Sequence, residues 1–314
     1  MKIAFVGKGG SGKTTMSGLL SRYLASKGHL VVAIDADINQ HLATTLGLSE
    51  KEASSIPPMG IEIAKIKKYL RGTNHRIEDN SLMIKTTPPG EGSRLVKIAE
   101  KNEIFDYFSR IIHGVRLMSV GPFTEEDLGI RCYHSKTGAV ELLLNHLIET
   151  EREYVIVDMT AGSDSFASGL FTRFDVTFLV VEPTTKSVSV YEQYKKYAKD
   201  FDVTIKVIGN KVQDADDLAF LSKECGSDLI CTLKASLFVK RSDRGESVGM
   251  DELEEENKQS LEQIVRTIDL QKKDWEKFYR QAVFFHIKNA ESWANSAMGK
   301  DLRLQVDPNF ILKL

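Results

Sequence analysis

Short apolar runs alternate with helically spaced apolar positions along most of this chain. The runs cover residues 3–6, 29–34, 115–120, 154–157, 176–181, 203–208 and 228–233, and polar or glycine residues bound them. Amphipathic stretches lie between: residues 16–25, the set Val140, Leu143, Leu144 and Leu147, and residues 187–199. Apolar runs of this length are strands covered on both faces, and the interleaved 3.6-residue periodicity is helical. The pattern therefore predicts an α/β fold, a mostly parallel central sheet with helices on both sides. Between about 49 and 114 the alternation breaks down. Pro57-Pro58, Pro88-Pro89, a lysine-rich stretch (Lys65, Lys67, Lys68) and two short strand candidates, 60–64 and 81–85, predict an irregular insertion. Its lysines form either a partner surface or, more simply, a solvated face.

The first run leads into GKGGSGKTT, residues 7–15, and then into a helix. Strand, glycine-rich loop and helix in that order form the phosphate-loop motif G-x-x-x-x-G-K-[ST]. Gly9, Gly10 and Gly12 let the backbone turn its N–H groups inward around an anion, beside Ser11, and the helix N-terminus adds its partial positive charge. Lys13 is placed to reach the β- and γ-phosphates, Thr14 to hold Mg²⁺, and Thr15 to lie against the α-phosphate. The second run ends in Asp35-Ala36-Asp37 and the fourth in Asp158, carboxylates at the strand ends where open α/β sheets bind ligands. Capping of the next helix is the alternative for each.

Lys8 adds a second lysine at the start of the loop. The string K-G-G-x-G-K-T-T resembles the deviant Walker A signature of the MinD, ParA and nitrogenase iron-protein group, a P-loop fold of the SIMIBI type. That resemblance implies ATP-dependent homodimerisation, with Lys8 reaching the partner's nucleotide. It implies that Asp37 orients the attacking water, that Asp35 and Asp158 support Mg²⁺ partly through water, and that residues 160–165 sense the γ-phosphate. Asn210 and Lys211, after the 203–208 run, resemble the family's base-reading pair; Gln213 stands where a guanine-reading motif has aspartate, which favours ATP over GTP. Ile38 replaces the proline often found after the second aspartate, so the local turn is expected to differ. In the segment that lines the adenine pocket in relatives, 234–245, Lys234-Ala235-Ser236 replaces Pro-x-Asp.

From Arg131-Cys132-Tyr133-His134 through the next helix to Asp158-Met159-Thr160-Ala161-Gly162, the order resembles CooC-like nickel-insertion ATPases. Those carry C-x-C where this chain has Cys132-x-His134. In a two-fold dimer two thiolates and two imidazoles would suit Zn²⁺ or Ni²⁺ at the interface. The simpler reading is a reduced thiol and a histidine packed under the following helix. The resemblance covers about 1–268, the expected ATPase domain. The remaining 269–314 read as a helical extension: Trp275, Phe278, Ala282, Phe285 and Trp293 share a face, and docking on the chain itself or on a dimer mate is favoured over a membrane or partner helix.

Composition narrows the uses of such a protein. At 314 residues the chain easily buries its own core, and a formal charge of -2 gives no global attraction to nucleic acid or membrane. Three cysteines favour a reducing compartment, and no apolar run approaches the ~20 residues of a membrane helix. With a core strand at the very start there is no room for a signal peptide, so the expected location is the cytosol. The expected activity is a slow Mg²⁺-dependent ATPase that cycles between ATP and ADP and switches an unidentified protein client, in a metallocentre-maturation role. A partitioning or positioning ATPase acting on DNA or membrane is the alternative, and a non-catalytic nucleotide-bound regulator a third.

Overall fold

The computed structural model describes residues 1–122, 133–160, 166 and 168–312, with 133–135 in backbone only. The strands are β1 (Lys2–Val6), β2 (Leu30–Ala36), β3 (Val96–Lys97), β4 (Ser109–Ile112), β5 (Val115–Ser119), β6 (Leu147–Ile148), β7 (Glu153–Met159), β8 (Val176–Val181), β9 (Ile205–Gly209) and β10 (Leu229–Thr232). Eight of them form one sheet in the order β10-β9-β8-β1-β7-β2-β5-β4, while β3 and β6 pair separately. Every pairing in the large sheet is parallel except β4 with β5.

Alternate residues of the central strands feed two separate cores. Ala4, Val6, Val32, Ile34, Val155 and Val157 belong to one. Ile3, Phe5, Val31, Ala33, Tyr154 and Ile156 belong to the other. The two-residue side-chain period of a strand thus divides between two helical layers, which is why these runs show no polar alternation. On one face lie the helices Lys13–Ser26 and Glu255–Asp269; on the other lie Ile63–Arg71, Tyr133–His146 and Thr185–Ala198.

Residues 49–114 depart from the sequence expectation. The candidate strand 60–64 runs into the helix Ile63–Arg71, which buries Ile66 and Leu70, four residues apart on one face; 81–85 contains a 3-10 turn, Asn80–Leu82. Met59, Ile77, Met83, Val96, Phe105 and Phe108 add to the same core, so this stretch is packed into the domain. Lys65 and Lys68 are exposed and Lys67 half-exposed, in keeping with the solvated face. The edge strand β4 escaped prediction because its side chains are only partly covered, with Ile111 64% exposed.

The longest helix of the C-terminal stretch, Trp275–Asn289, docks on the chain itself through Phe278, Ala282 and Phe285, whereas Trp293 beyond it stays half-exposed. Among the described residues no helix is long and apolar enough to cross a membrane. Docking is fixed by a buried ionic group at the end of the sheet remote from the phosphate loop. The Lys2 ammonium, wholly buried, lies 2.7 Å from Glu149 Oε2 and donates to Leu147 O at 2.8 Å. The Trp275 and Phe278 rings flank it at 4.6 and 4.3 Å. Lys273 pairs with Glu149 and, at 3.0 Å, with Asp175. Burial by itself would raise the Glu149 carboxyl, but the Lys2 and Lys273 ammoniums outweigh it and hold the group down at about 2.

Removing Glu149 would strand the buried Lys2 ammonium and leave Lys273 with Asp175 alone, so Glu149→Ala is expected to cost about 3–5 kcal/mol in denaturant unfolding. Because folding lowers this carboxyl from 4.5 to about 2, its stabilisation is complete above pH 4.5 and is lost as pH falls through 2. Glu149→Gln should therefore lose stability less steeply across that window than the parent chain, as read by unfolding at a series of pH values.

Candidate functional site

The loop between β1 and the helix Lys13–Ser26 has the form its glycines dictate. Gly10 and Gly12 take φ of 81° and 95°, a region that L side chains rarely enter. Ser11 N donates to Lys8 O and Met16 N to Gly12 O, each at 3.0 Å, closing the loop and opening the helix. A Cβ on Gly7 would stand 2.4 Å from Ser11 Oγ and 2.7 Å from Val180 O, so the loop is seated tightly against β8. Gly9 faces open space. Ser11 is buried, with its hydroxyl unpartnered, whereas Lys8, Thr14 and Thr15 are half-buried on the accessible side.

Parallel register brings the aspartates together. Asp158 lies opposite Asp35 in β2 and Phe5 in β1, so both carboxylates reach the same strand-end level beside the loop. Lys13 Nζ sits 2.6 Å from Asp37 Oδ2, with both side chains nearly buried. Asp158 is fully buried; Ser17 Oγ stands 3.5 Å from its Oδ1, and its Oδ2 has no hydrogen-bond partner. Burial pushes the Asp158 carboxyl up to about 7, although the Lys13 ammonium and the Thr14 hydroxyl beside it pull the other way and Asp37 adds to the rise. Burial, then Asp158, also raises Asp35 well above the usual carboxylate range. Three carboxylates thus stand near the Lys13 ammonium and the Thr14 and Ser17 hydroxyls, and Asp158 Oδ2 has no hydrogen-bond partner. A divalent cation fits that donor set.

Asp35 also performs the capping expected as its alternative role. Its Oδ2 accepts from Leu42 N at 2.8 Å and its Oδ1 from Asp37 N at 3.2 Å. Asn39 N donates to Asp37 Oδ1 at 2.9 Å, and Gln40 takes a φ of 52°. With Ile38 in place of proline, the turn is held by these side chains instead of by a fixed ring. Gln40 extends it to β5, accepting from Ser119 Oγ and from Gly121 N.

Asn210 and Lys211 stand at the end of β9, as the pattern placed them, but their polar atoms grip the phosphate loop. Asn210 Nδ2 donates to Ser11 O at 2.7 Å and Lys211 Nζ to Gly10 O at 2.8 Å. Glu182, at the end of β8, holds Lys211 at 2.5 Å. Sequence reasoning gave Glu182 and Ser17 no part in the site. The signal available was Glu182's place at a strand end and Ser17's place one turn after Lys13. The stretch 234–245 contributes the helix Leu237–Asp243, capped by Ser236. The expected sensor 160–165 is described only at Thr160, and Cys132 and the side chain of His134 lie outside the described residues. Among the described residues no group of three or more His, Cys, Asp or Glu side chains could hold a metal ion by itself, so a cation beside the loop would need hydroxyl, water or phosphate oxygens to complete its shell.

The two loop glycines Gly9 and Gly12 should answer differently to the same substitution. At Gly12 a Cβ would lie 2.3 Å from Asn210 Nδ2 on a backbone at φ 95°, whereas at Gly9 it would meet nothing within 4 Å. Gly12→Ala is expected to lose about 1–3 kcal/mol in thermal unfolding. Gly9→Ala is expected to stay within ~0.5 kcal/mol of the parent chain.

Known proteins carry the same arrangement. The profile of the CobQ/CobB/MinD/ParA nucleotide-binding domain matches residues 3–277. The carbon monoxide dehydrogenase accessory protein CooC of Rhodospirillum rubrum is 31% identical over 222 residues, covering 70% of this chain and 78% of CooC. An ATP-binding protein of Methanocaldococcus jannaschii is 33% identical over 218 residues, covering 69% of this chain and 77% of its own length. Two solved structures share the fold at low identity. MinD in the MinC:MinD cell division complex of Aquifex aeolicus superposes with a TM-score of 0.55 at 17% identity, covering 87% of this chain and 97% of that one. The septum site-determining MinD of Pyrococcus horikoshii, complexed with Mg-ADP, gives 0.55 at 13% identity, covering 86% and 97%. With a phosphate loop built on β1, aspartates at the ends of β2 and β7, and a family match across most of its length, this chain belongs to the CobQ/CobB/MinD/ParA family of P-loop nucleotide-binding proteins.

Proposed function

We propose that this protein binds ATP with Mg²⁺ at the loop 7–15, dimerises around it, and hydrolyses it slowly to ADP as a switch acting on a protein client. The observation that carries this reading is the Asp158 carboxylate at the strand end beside the loop, buried with its Oδ2 without a hydrogen-bond partner, next to the Lys13 ammonium and the Thr14 and Ser17 hydroxyls. Mg²⁺ would be held by Thr14 and, partly through water, by Asp158 and Asp35, and would neutralise charge developing on the phosphates.

Lys13 has a second role in this scheme. A β,γ-phosphate arriving within its reach competes for the ammonium that pairs with Asp37 at 2.6 Å. Transfer of Lys13 to phosphate would remove that pairing from Asp37 and let its carboxylate turn to the attacking water, so binding itself would prepare the residue that hydrolysis needs. The inward amides of Gly9, Gly10, Ser11 and Gly12 and the Thr15 hydroxyl line the rest of the phosphate path. Lys8, half-buried and at the loop's rim, is the group that crosses to a second copy. Asn210 and Lys211 are adjacent to the base end of this path and, through Ser11 O and Gly10 O, tie base recognition to loop geometry.

The 31% identity with CooC favours metallocentre maturation over action on DNA or membrane. On that reading Cys132 and His134 of two subunits meet as a Zn²⁺ or Ni²⁺ site.

Calorimetry with ATP and Mg²⁺ is expected to register binding that Lys13→Ala abolishes; no heat from the parent chain would overturn the proposal. Asp37→Asn should still bind ATP while its hydrolysis falls by about 10²–10⁴-fold. Lys8→Ala should bind ATP but elute as a monomer in sizing experiments where the parent chain dimerises. For the maturation role, metal analysis of the ATP-bound dimer should find zinc or nickel that Cys132→Ala lacks. Metal absent from both, or ATP-dependent and salt-sensitive binding to DNA or liposomes, would move the client elsewhere.

A further inference from the structure

The packed stretch 49–114 carries a cleft of about 820 Å³, and no residue of the nucleotide site lines it. Its walls are the helix Ile63–Arg71, the turn that brings in Arg94, and the helix Glu103–Phe108. Arg94 N donates to Leu70 O at 3.0 Å and Thr73 N to Gly92 O at 2.8 Å, so the turn is bonded across the end of the first helix. Lys65, Lys68, Arg71 and Arg94 stand there with two carboxylates, Glu103 and Asp106, an excess of positive charge in a chain whose formal charge is -2. Little of that charge is fully paired. Among the described residues Lys68 has no hydrogen-bond or ion-pair partner. Arg94 reaches Glu103 only at 3.8 Å, and its guanidinium lies over the Tyr69 ring at 5.1 Å. Lys65 Nζ lies over the Tyr107 ring at 3.8 Å, donates to the Tyr107 hydroxyl and pairs with Glu62 at 3.1 Å. Arg71 uses Nε and Nη2 on Ile77 O and Glu78 O.

A cation or two at a helix C-terminus is ordinary, because the last carbonyls attract positive charge. That accounts for Lys68 and Arg71, in the last turn, but not for Lys65 a turn earlier or for Arg94 from a separate segment. We propose that this cleft is the docking groove for an acidic, extended segment of a partner protein. The groove rests on the reading above only in taking that partner to be the client of the switch. Lys65, Lys68 and Arg71 recur at every third residue, so their charge runs along about 9 Å of helix. A row of that length suits an elongated anion and not a single ion. An extended peptide with acidic side chains at alternate positions presents a carboxylate every ~7 Å along one side. The ring faces of Tyr69 and Tyr107 hold Arg94 and Lys65 in place beforehand, which lowers the ordering cost of binding. Glu103 and Asp106 select among anions: they repel an unbroken phosphate chain, whereas a peptide can set neutral residues and backbone N–H groups against them.

Fluorescence anisotropy on the full chain without nucleotide, using a labelled octapeptide of alternating glutamate and alanine, tests this. Saturable binding is expected, and the same peptide with glutamine for glutamate should not bind. Lys68→Glu and Arg94→Glu are each expected to weaken binding by about tenfold or more. Lys196→Glu, the same charge change on the exposed side of the helix Thr185–Ala198, should leave it unchanged. None of these three side chains belongs to the nucleotide site, so each variant should bind ATP in calorimetry as the parent chain does. No binding of the acidic peptide, binding that survives both groove variants, or an equal loss in Lys196→Glu would overturn the groove and leave the ATP reading intact. Tighter binding of single-stranded DNA or inorganic polyphosphate, lost in the same two groove variants, would overturn the choice of a peptide. Peptide binding in a parent chain that binds no ATP would keep the groove and remove the switch.

Discussion

Asp35, Asp37 and Asp158 converge beside the phosphate loop, with the Lys13 ammonium against Asp37, and that convergence organises this end of the molecule. Parallel register makes it unavoidable: once β1, β2 and β7 align, Asp35 and Asp158 end at the same level, in a place the sheet and its helices exclude from water. Burial raises both carboxyls, and Asp158 keeps an oxygen without a partner. Burying carboxylates without full pairing costs free energy, and on the proposed function a phosphate-bound divalent cation would offset that cost.

The remote end of the sheet handles charge in the opposite way. Lys2, Lys273 and the Met1 amino group surround two anions, Glu149 and Asp175, with 3.0 Å or less at the Lys2–Glu149 and Lys273–Asp175 contacts and the Trp275 and Phe278 rings as a roof. Each carboxylate there meets a lysine, so the cluster acts as a fastener for the C-terminal helix. The same helix then reaches Gly169 and Arg173. Among the described residues one ionic group thus fastens the C-terminal helix and a separate carboxylate cluster stands beside the phosphate loop.

Legibility followed the strength of the local signal. The central strands are buried on both faces, so their sequences are near-continuous apolar runs, and their order with the intervening helices was readable. Residues 49–114 were not: Ile63, Ile66 and Leu70 mark a helix too short for its period to stand out between prolines, and β4 at the edge carries an exposed Ile111 that breaks any strand pattern. In the site, the proximity of Lys13, Asp37 and Asp158 follows from motif and strand ends, since a glycine loop and strand-end carboxylates meet at one edge of a parallel sheet. Glu182 was missed because its role is to hold Lys211, a contact between the ends of two strands that no spacing within the chain expresses.

What the residues determined unaided was the architecture and the chemistry of the loop, because both are written in short-range order: apolar period, glycine placement, a lysine at the helix start. What only the tertiary structure decided was which polar atoms are spent and which are left over. Asn210 and Lys211 hold the loop, Asp35 caps a turn, and Asp158 retains an unused oxygen. Those outcomes depend on distances between segments far apart in sequence, and packing alone sets such distances.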